Sequence, residues 1–270
     1  GNARIIVCDG NFHGRTTTIV SFSTDTQARA DFGPYTPGFD IVPYGDAEAL
    51  AAAITADTVA VLIEPVQGEA GVIVPPQGWL PAVRKLCDDN NVLLIADEIQ
   101  SGLGRTGYTF ACEYEAVRPD IYLLGKALGG GIMPLSAMIA DRSIMDVFRP
   151  GQHGSTFGGN PLAAAIGREV VAMLSHGEWQ ARARELGDHL ANALRGLDCD
   201  IIRRCRVRGL WAGVDLTEDG PDAHTVCQRM AKAGVLCKET HGSTVRIAPP
   251  LVITPAEIDY AVEVLAEACT

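Results

Sequence analysis

Short apolar runs alternate with amphipathic stretches along most of the chain. Val59-Ala60-Val61-Leu62-Ile63, Val92-Leu93-Leu94-Ile95-Ala96 and Ile121-Tyr122-Leu123-Leu124 are continuous apolar runs of strand length, the pattern expected of strands covered on both faces. Between the first two, residues 78–90 carry Trp79, Leu80, Val83, Leu86 and Cys87 at helical spacing. Strand, helix, strand in that order predicts crossover units and a mainly parallel sheet. Ile5-Ile6-Val7-Cys8 predicts a further strand with no helix ahead of it. The chain is therefore expected to start partway through an α/β unit, as an N-terminally truncated piece.

Each of the three long runs ends in a charged residue: Glu64, Asp97 and, after Gly125, Lys126. Open α/β sheets bind ligands outside the carboxyl ends of their strands, so these three side chains are expected to converge on one crevice. Beyond Pro161 the pattern changes to a long helical stretch reaching about Arg195, read as a connecting helix pair. Strands at 210–216, 235–238 and 243–248, a helix at 222–232 and a last helix from about Pro255 then describe a small α+β domain. The predicted division is a large domain over 1–165, connecting helices over 166–200 and a small domain over 201–270.

Composition narrows the function. The 270 residues are 47% hydrophobic and 20% charged, which excludes disorder over most of the chain. Thirty-three acidic against 22 basic residues give a net charge of -11, so neither nucleic acid nor an anionic membrane is an expected partner. Eight cysteines without a C-x-x-C pair suit reduced thiols in the cytoplasm better than disulfides or zinc. No metal site is expected. No stretch approaches 18 uninterrupted apolar residues, so no membrane span is expected.

Several residues could carry chemistry. Lys126 lies between an apolar strand and Gly129-Gly130-Gly131; partial desolvation there would favour its neutral, nucleophilic amine and make it a Schiff-base former. A loop lysine facing water is the alternative. A buried Asp97 could keep a cofactor ring nitrogen protonated, or Asp97-Glu98 could hold magnesium as in nucleotide hydrolases, although the phosphate loop such enzymes need is absent from this sequence. Gly102-Leu103-Gly104-Arg105-Thr106-Gly107 is a literal G-x-G-x-x-G, but it does not join a strand directly to a helix and is discounted as a dinucleotide loop. Phe12 offers a face for a flat ring, with His13 and Arg15 beside it, and the Arg15 guanidinium could pair with a carboxylate. Ser155 and Thr156, near a helix entrance, suit a phosphate or a cap. Arg246 is a candidate carboxylate anchor or a plain surface arginine.

Taken together, Asn11-Phe12-His13-Gly14-Arg15-Thr16, residues 32–39, Glu64-Pro65-Val66-Gln67-Gly68-Glu69-Ala70-Gly71, Ala96-Asp97-Glu98-Ile99-Gln100, Leu124-Gly125-Lys126-Ala127, His153-Gly154-Ser155-Thr156, and Thr240-His241-Gly242 with residues 246–251 resemble the class III (subgroup II) pyridoxal-phosphate aminotransferases. Among them the ornithine δ-aminotransferase family is the most similar, and the resemblance runs over essentially the whole chain. It implies an aspartate-aminotransferase-like fold of type I, with a large domain built on a mainly parallel sheet and a small C-terminal α+β domain. It also implies pyridoxal 5'-phosphate as cofactor and transamination between ornithine and 2-oxoglutarate, giving glutamate-5-semialdehyde and glutamate.

By the same resemblance Lys126 would form the Schiff base and shuttle the proton, and Asp97 would partner the pyridinium nitrogen. Phe12 would stack on the ring, with His13 beside it, and Gln100 would meet the phenolic oxygen. Ser155 and Thr156 would reach the phosphate from a neighbouring subunit of a homodimer. Arg15 would grip the ornithine α-carboxylate, Glu64 would line the substrate site, and Glu69 would neutralise Arg246 until that arginine is needed for 2-oxoglutarate. The family's N-terminal segment has no counterpart in this chain, which is expected to need that segment for firm cofactor binding. Acetylornithine or 4-aminobutyrate aminotransferase, or an inactive C-terminal piece, are the competing readings.

Overall fold

The computed structural model describes residues 2–270, which divide into two compact units. The first comprises the chain through Pro65 with Pro75–Leu103 and Phe110–His176; the second comprises Val66–Val74, Gly104–Thr109 and Gly177–Thr270.

In the first unit, strands β1 (Arg4–Cys8), β2 (Phe39–Val42), β3 (Thr58–Ile63), β4 (Leu93–Asp97), β5 (Ile121–Leu124) and β6 (Ala137–Ala140) form one sheet in the order β2-β1-β3-β4-β5-β6. All neighbours are parallel except β5 and β6. Helices α1 (Thr17–Val20), α2 (Thr26–Arg29), α3 (Ala47–Ala53), α4 (Trp79–Asp89), α5 (Arg142–Met145) and α6 (Pro161–Leu174) complete the unit.

The apolar runs are explained by burial on both faces. Ile6, Cys8, Val61, Ile63, Leu94 and Ala96 pack against Leu50 of α3 and Trp79, Leu80, Val83 and Cys87 of α4. Val7, Leu62 and Ile95, which alternate with them, pack on the opposite face with Phe22 and Ile19. The alternation places Asp97 on the same side as Ile95, at the carboxyl end of β4. Local signals set the helix ends: Asn160 Oδ1 accepts from Ala163 N at 2.9 Å, and Pro161 opens α6.

The second unit contains α7 (Glu178–Arg195), β7 (Ile202–Val207), β8 (Ala212–Leu216), α8 (Ala223–Lys232), β9 (Lys238–Thr240), β10 (Thr244–Ile247) and α9 (Pro255–Cys269). Its sheet is antiparallel, in the order β7-β8-β10-β9. Leu186, Leu190 and Leu194 of α7, Met230 of α8 and Leu265 of α9 enclose a core with Val214, Leu216 and Val245. Thr254 and Glu257 cap α9 reciprocally ahead of its first turn.

Three points differ from the sequence reading. The expected helix pair is present, but its two helices, separated at Gly177 with φ +76°, do not form a connecting segment of their own: α6 belongs to the first unit and α7 to the second. The strand expected at 235–238 starts only at Lys238, because Gly234 at φ +83° and Val235 N, bonded to the Met230 carbonyl, still close α8. Strands β2, β6 and β7 have no counterpart among the predicted elements.

Candidate active site

A cavity of about 190 Å³ opens at the carboxyl ends of β1, β3, β4 and β5, lined by Phe12, His13, Gly14, Glu64, Asp97, Ile99, Gln100 and Lys126. Glu64, Asp97 and Lys126 thus meet in one crevice. Asp97 is 5% exposed and held from two sides. Its Oδ1 accepts from Ile99 N at 3.1 Å, and its Oδ2 lies 2.7 Å from His13 Nδ1. A carboxylate there fixes the imidazole with its proton on Nδ1. The other ring nitrogen, Nε2, is buried and has no hydrogen-bond partner among the described residues.

The loop carrying Phe12 and His13 is fastened to the sheet by side chains. Asn11 Nδ2 donates to the carbonyls of Cys8 at 2.6 Å and Phe22 at 3.2 Å. Buried Glu64 accepts from Phe12 N at 3.0 Å, while Tyr44 donates to the Glu64 carbonyl at 2.9 Å. Glu64 therefore links the end of β3 to the loop after β1. Arg15 is exposed, its guanidinium 5.4 Å from the centre of the Phe12 ring, and it is not among the cavity's lining residues.

Lys126 corrects one expectation. The strand was expected to desolvate its amine, but β5 ends at Leu124 and the side chain is exposed. Its backbone explains the change of direction: Lys126 has φ +44° at the head of a short 3-10 turn, a conformation costly for a residue with a Cβ and concentrated at functional positions. Ser155 and Thr156 are exposed and do not line this cavity. Ser155 borders a different cavity of about 480 Å³ with Met133, Leu135 and Phe157, and its hydroxyl accepts from Gly158 N at 2.9 Å. Neither hydroxyl caps α6; Asn160 does.

The second unit holds the other expected pair. Glu69 Oε1 accepts from Arg246 Nη1 at 2.8 Å. Burial opposes the Glu69 charge, but hydrogen bonding and attraction from Arg246, with a further contribution from Lys238, outweigh it and hold the carboxyl below its usual range. Lys238 Nζ stands 3.4 Å from Glu69 Oε2, a contact the sequence reading missed. Its signal was the strand register, which sets Lys238 of β9 opposite Arg246 of β10. The glycine-rich run sends Arg105 inward, where it donates to the carbonyls of Leu210 at 2.7 Å and Pro249 at 2.6 Å. Burial pulls its pKa down to about 10. That arginine is a structural tie within the second unit.

Among the described residues no group of three or more His, Cys, Asp or Glu is placed to hold a metal ion, and no helix is long and apolar enough to cross a membrane. The family model for class-III aminotransferases matches residues 1–269. The chain belongs to that family. This class-III aminotransferase chain is 52% identical over 265 residues to an ornithine aminotransferase of Exiguobacterium sp., covering 98% of itself and 66% of the relative. It therefore spans about two thirds of the length of the curated relatives it matches. A crystal structure of the Toxoplasma gondii ornithine aminotransferase superposes with a TM-score of 0.95 at 42% identity, covering 99% of this chain and 64% of that one. An acetylornithine aminotransferase from Elizabethkingia anophelis superposes with a TM-score of 0.86 at 44% identity, covering 99% and 67%. The mixed α/β fold with its mainly parallel sheet is that of the type I pyridoxal-phosphate-dependent aminotransferases.

Proposed function

We propose that the protein is a pyridoxal-phosphate-dependent aminotransferase that moves the δ-amino group of ornithine to 2-oxoglutarate, giving glutamate-5-semialdehyde and glutamate. The observation that carries this reading is the cavity in which Lys126, a buried Asp97–His13 pair, Gln100 and the Phe12 ring meet. That donor set fits the cofactor. An amine, a buried carboxylate, a carboxamide and an aromatic face match an aldehyde, a ring nitrogen, a phenolic oxygen and a flat ring. The buried, unpartnered Nε2 of His13 on the same wall is a polar atom that a bound group would satisfy. The Toxoplasma relative is described with PLP at its active site.

When bound, pyridoxal phosphate supplies an electron sink for the carbon that carries the transferred amine. Asp97, oriented by His13 and by Ile99 N, is the carboxylate that would keep a proton on the cofactor's ring nitrogen. Lys126, which borders the cavity, is the residue that would hold the cofactor through its aldehyde and would serve as the base that takes the proton from the substrate carbon and returns it. Phe12 would hold the ring by stacking, and Gln100 would donate to the phenolic oxygen. Glu64 lines the substrate site and fixes the Phe12 backbone. Arg15 pairs with the α-carboxylate of ornithine, leaving the δ-amine as the reacting end. Arg246, neutralised by Glu69 in the amine half-reaction, takes a carboxylate of 2-oxoglutarate in the other.

We further infer a cytoplasmic homodimer in which Ser155 and Thr156 contribute to the partner's phosphate site. The exposed apolar residues Ile132, Phe157 and Leu162 support an interface there, and the lack of a C-x-x-C pair among the eight cysteines suits a reducing compartment.

A second reading, N-acetylornithine as donor, draws on the Elizabethkingia neighbour. Two measurements separate the readings. Borohydride reduction in the presence of pyridoxal phosphate is expected to label the wild-type protein at Lys126 and to leave Lys126→Ala unlabelled. Single turnovers with ornithine and with N-acetylornithine are then compared, and ornithine is expected to be the faster donor. No labelling at Lys126 overturns the cofactor assignment, and preference for the acetylated donor overturns the substrate.

A further inference from the structure

Lys238 and Arg246 are directly opposite each other on the antiparallel strands β9 and β10. Like charges in that position repel, and here a single carboxylate stands against both. Glu69 gives Oε1 to Arg246 Nη1 at 2.8 Å and Oε2 to Lys238 Nζ at 3.4 Å. The two cations differ in setting: the Arg246 side chain is 15% exposed and that of Lys238 61%.

The backbone beneath Glu69 is fixed. Thr240 donates its hydroxyl to the Glu69 carbonyl. Two residues on, buried Arg206 donates Nε at 3.1 Å and Nη2 at 2.8 Å to the Gly71 carbonyl. That carbonyl lies so near β8 that a Cβ at Gly213 would stand 2.2 Å from it. Gly71 itself has φ +114°. A segment tied at both of these carbonyls cannot swing away from Arg246, so the carboxylate can leave that arginine only by side-chain rotation.

We propose that Lys238 is a positioning residue for this exchange: it retains the Glu69 carboxylate when Arg246 releases it to a carboxylate of the ligand. The inference rests on the reading of Arg246 as the anchor for the oxo acid and deepens it. Without Lys238, releasing Arg246 would leave Glu69, 22% exposed at its side chain, without a cation. The closed pair would then be harder to open. With Lys238 in place the partly buried charge always keeps one partner, and the strand pair always holds one anion between its two cations.

The test uses glutarate, an unreactive dicarboxylate, titrated into the whole protein and followed calorimetrically and through the NMR signal of the Arg246 guanidinium. Lys238→Met is expected to weaken glutarate binding roughly two- to fivefold, the size of a partly exposed ion pair. Lys238→Arg should restore it, and Arg246→Met should remove it. In a Glu69→Gln background, Lys238→Met should have no further effect. In turnover, KM for 2-oxoglutarate should rise while kcat and KM for ornithine stay constant. Unchanged glutarate affinity in Lys238→Met, with binding lost in Arg246→Met, overturns the role of Lys238 and leaves the functional reading standing. Glutarate binding that is absent in the wild type, or indifferent to Arg246→Met, overturns both.

Discussion

Arg206 gives the sharpest test of how the second unit is held together. Its guanidinium is buried, forms a two-pronged ion pair with buried Asp215, and also donates to the Gly71 carbonyl. Arg206→Met keeps the aliphatic bulk but strands a buried carboxylate and a buried carbonyl. Removing one partner of a buried pair costs about 3–5 kcal/mol. Two features of this site place the expected loss near the lower figure, about 3 kcal/mol. Thr244 still donates to Asp215 at 2.7 Å, and Arg203 Nη2 stands 3.8 Å from Asp215 Oδ2.

The pH dependence has a definite sign. In the wild type, burial opposes the Asp215 charge, but Arg206, Thr244 and Arg203 outweigh it and the carboxyl titrates below its usual range. Its stabilising contribution is present above the unfolded value of about 3.9 and disappears as pH falls through the lower folded value. Without Arg206, burial dominates and the carboxyl is pushed up instead. The variant then regains stability as the pH drops and Asp215 protonates. Urea unfolding at pH 7 and at pH 4.5 should show a larger deficit at pH 7. A deficit under about 1 kcal/mol at pH 7, or an equal deficit at both pH values, would refute this account of the pair. Replacing both partners, Arg206→Met with Asp215→Leu, should recover most of the loss, since no stranded charge remains.

Other predictions concern single positions. Glu98 is fully buried, accepts from Ser101 Oγ at 2.6 Å and Cys112 N at 2.9 Å, and has its pKa raised by that burial. A raised carboxyl favours the fold below its unfolded pKa and loses that contribution as pH rises through the folded value. Glu98→Gln should therefore flatten the dependence of stability on pH and melt above the wild type at pH 8; a parallel profile for the two proteins would count against it. Gly187→Ala adds a Cβ 2.5 Å from the Gly209 backbone, and the clash should exceed the helix-propensity gain of about 1 kcal/mol. Thermal unfolding is expected to fall by roughly 4–8 °C, from a net loss of about 2 kcal/mol. An unchanged melting temperature would show that the two segments separate freely.

The sheet of the first unit was legible because its strands are covered on both faces and their apolar runs are unbroken. Strand β7 was not, since Ile202–Val207 contains Arg203, Arg204 and Arg206 and sits at a sheet edge, where the apolar run that marks a covered strand is absent. Strands β2 and β6 are as long as β5, but they are the two edges of the sheet and expose Ile41, Met138 and Ile139, so they lack the covered apolar run. At the site, residues that act at strand ends could be read from position alone. Their partners could not. His13 meets Asp97 across 84 positions, and Lys238 meets Glu69 across 169. His13 and Glu69 lie in loops beyond β1 and β3, and only the packing of those loops against distant strands brings such residues together. The sequence left two settings open for Lys126, desolvated by the strand or facing water, and the choice between them rests on a single backbone turn at φ +44°.

The two carboxylates at the centre of the proposal are held in opposite ways, and the difference follows from their partners. Asp97 is bound by a backbone N–H and by an imidazole with a 2% exposed side chain. Neither donor can leave without exposing a buried polar group, so the carboxylate is fixed in place, as the proposed partner of a ring nitrogen would have to be. Glu69 is bound by two long side chains, and the outer one, Lys238, is 61% exposed. The outer cation can turn away and be resolvated at little cost, and it can stay with Glu69 when the more buried Arg246 turns to a ligand. A carboxylate with exchangeable partners suits a site that must present neutrality to a diamino acid and positive charge to a dicarboxylate. Rigid electrostatics at Asp97 and exchangeable electrostatics at Glu69 are thus the division of labour that the proposed two-substrate amino transfer would use.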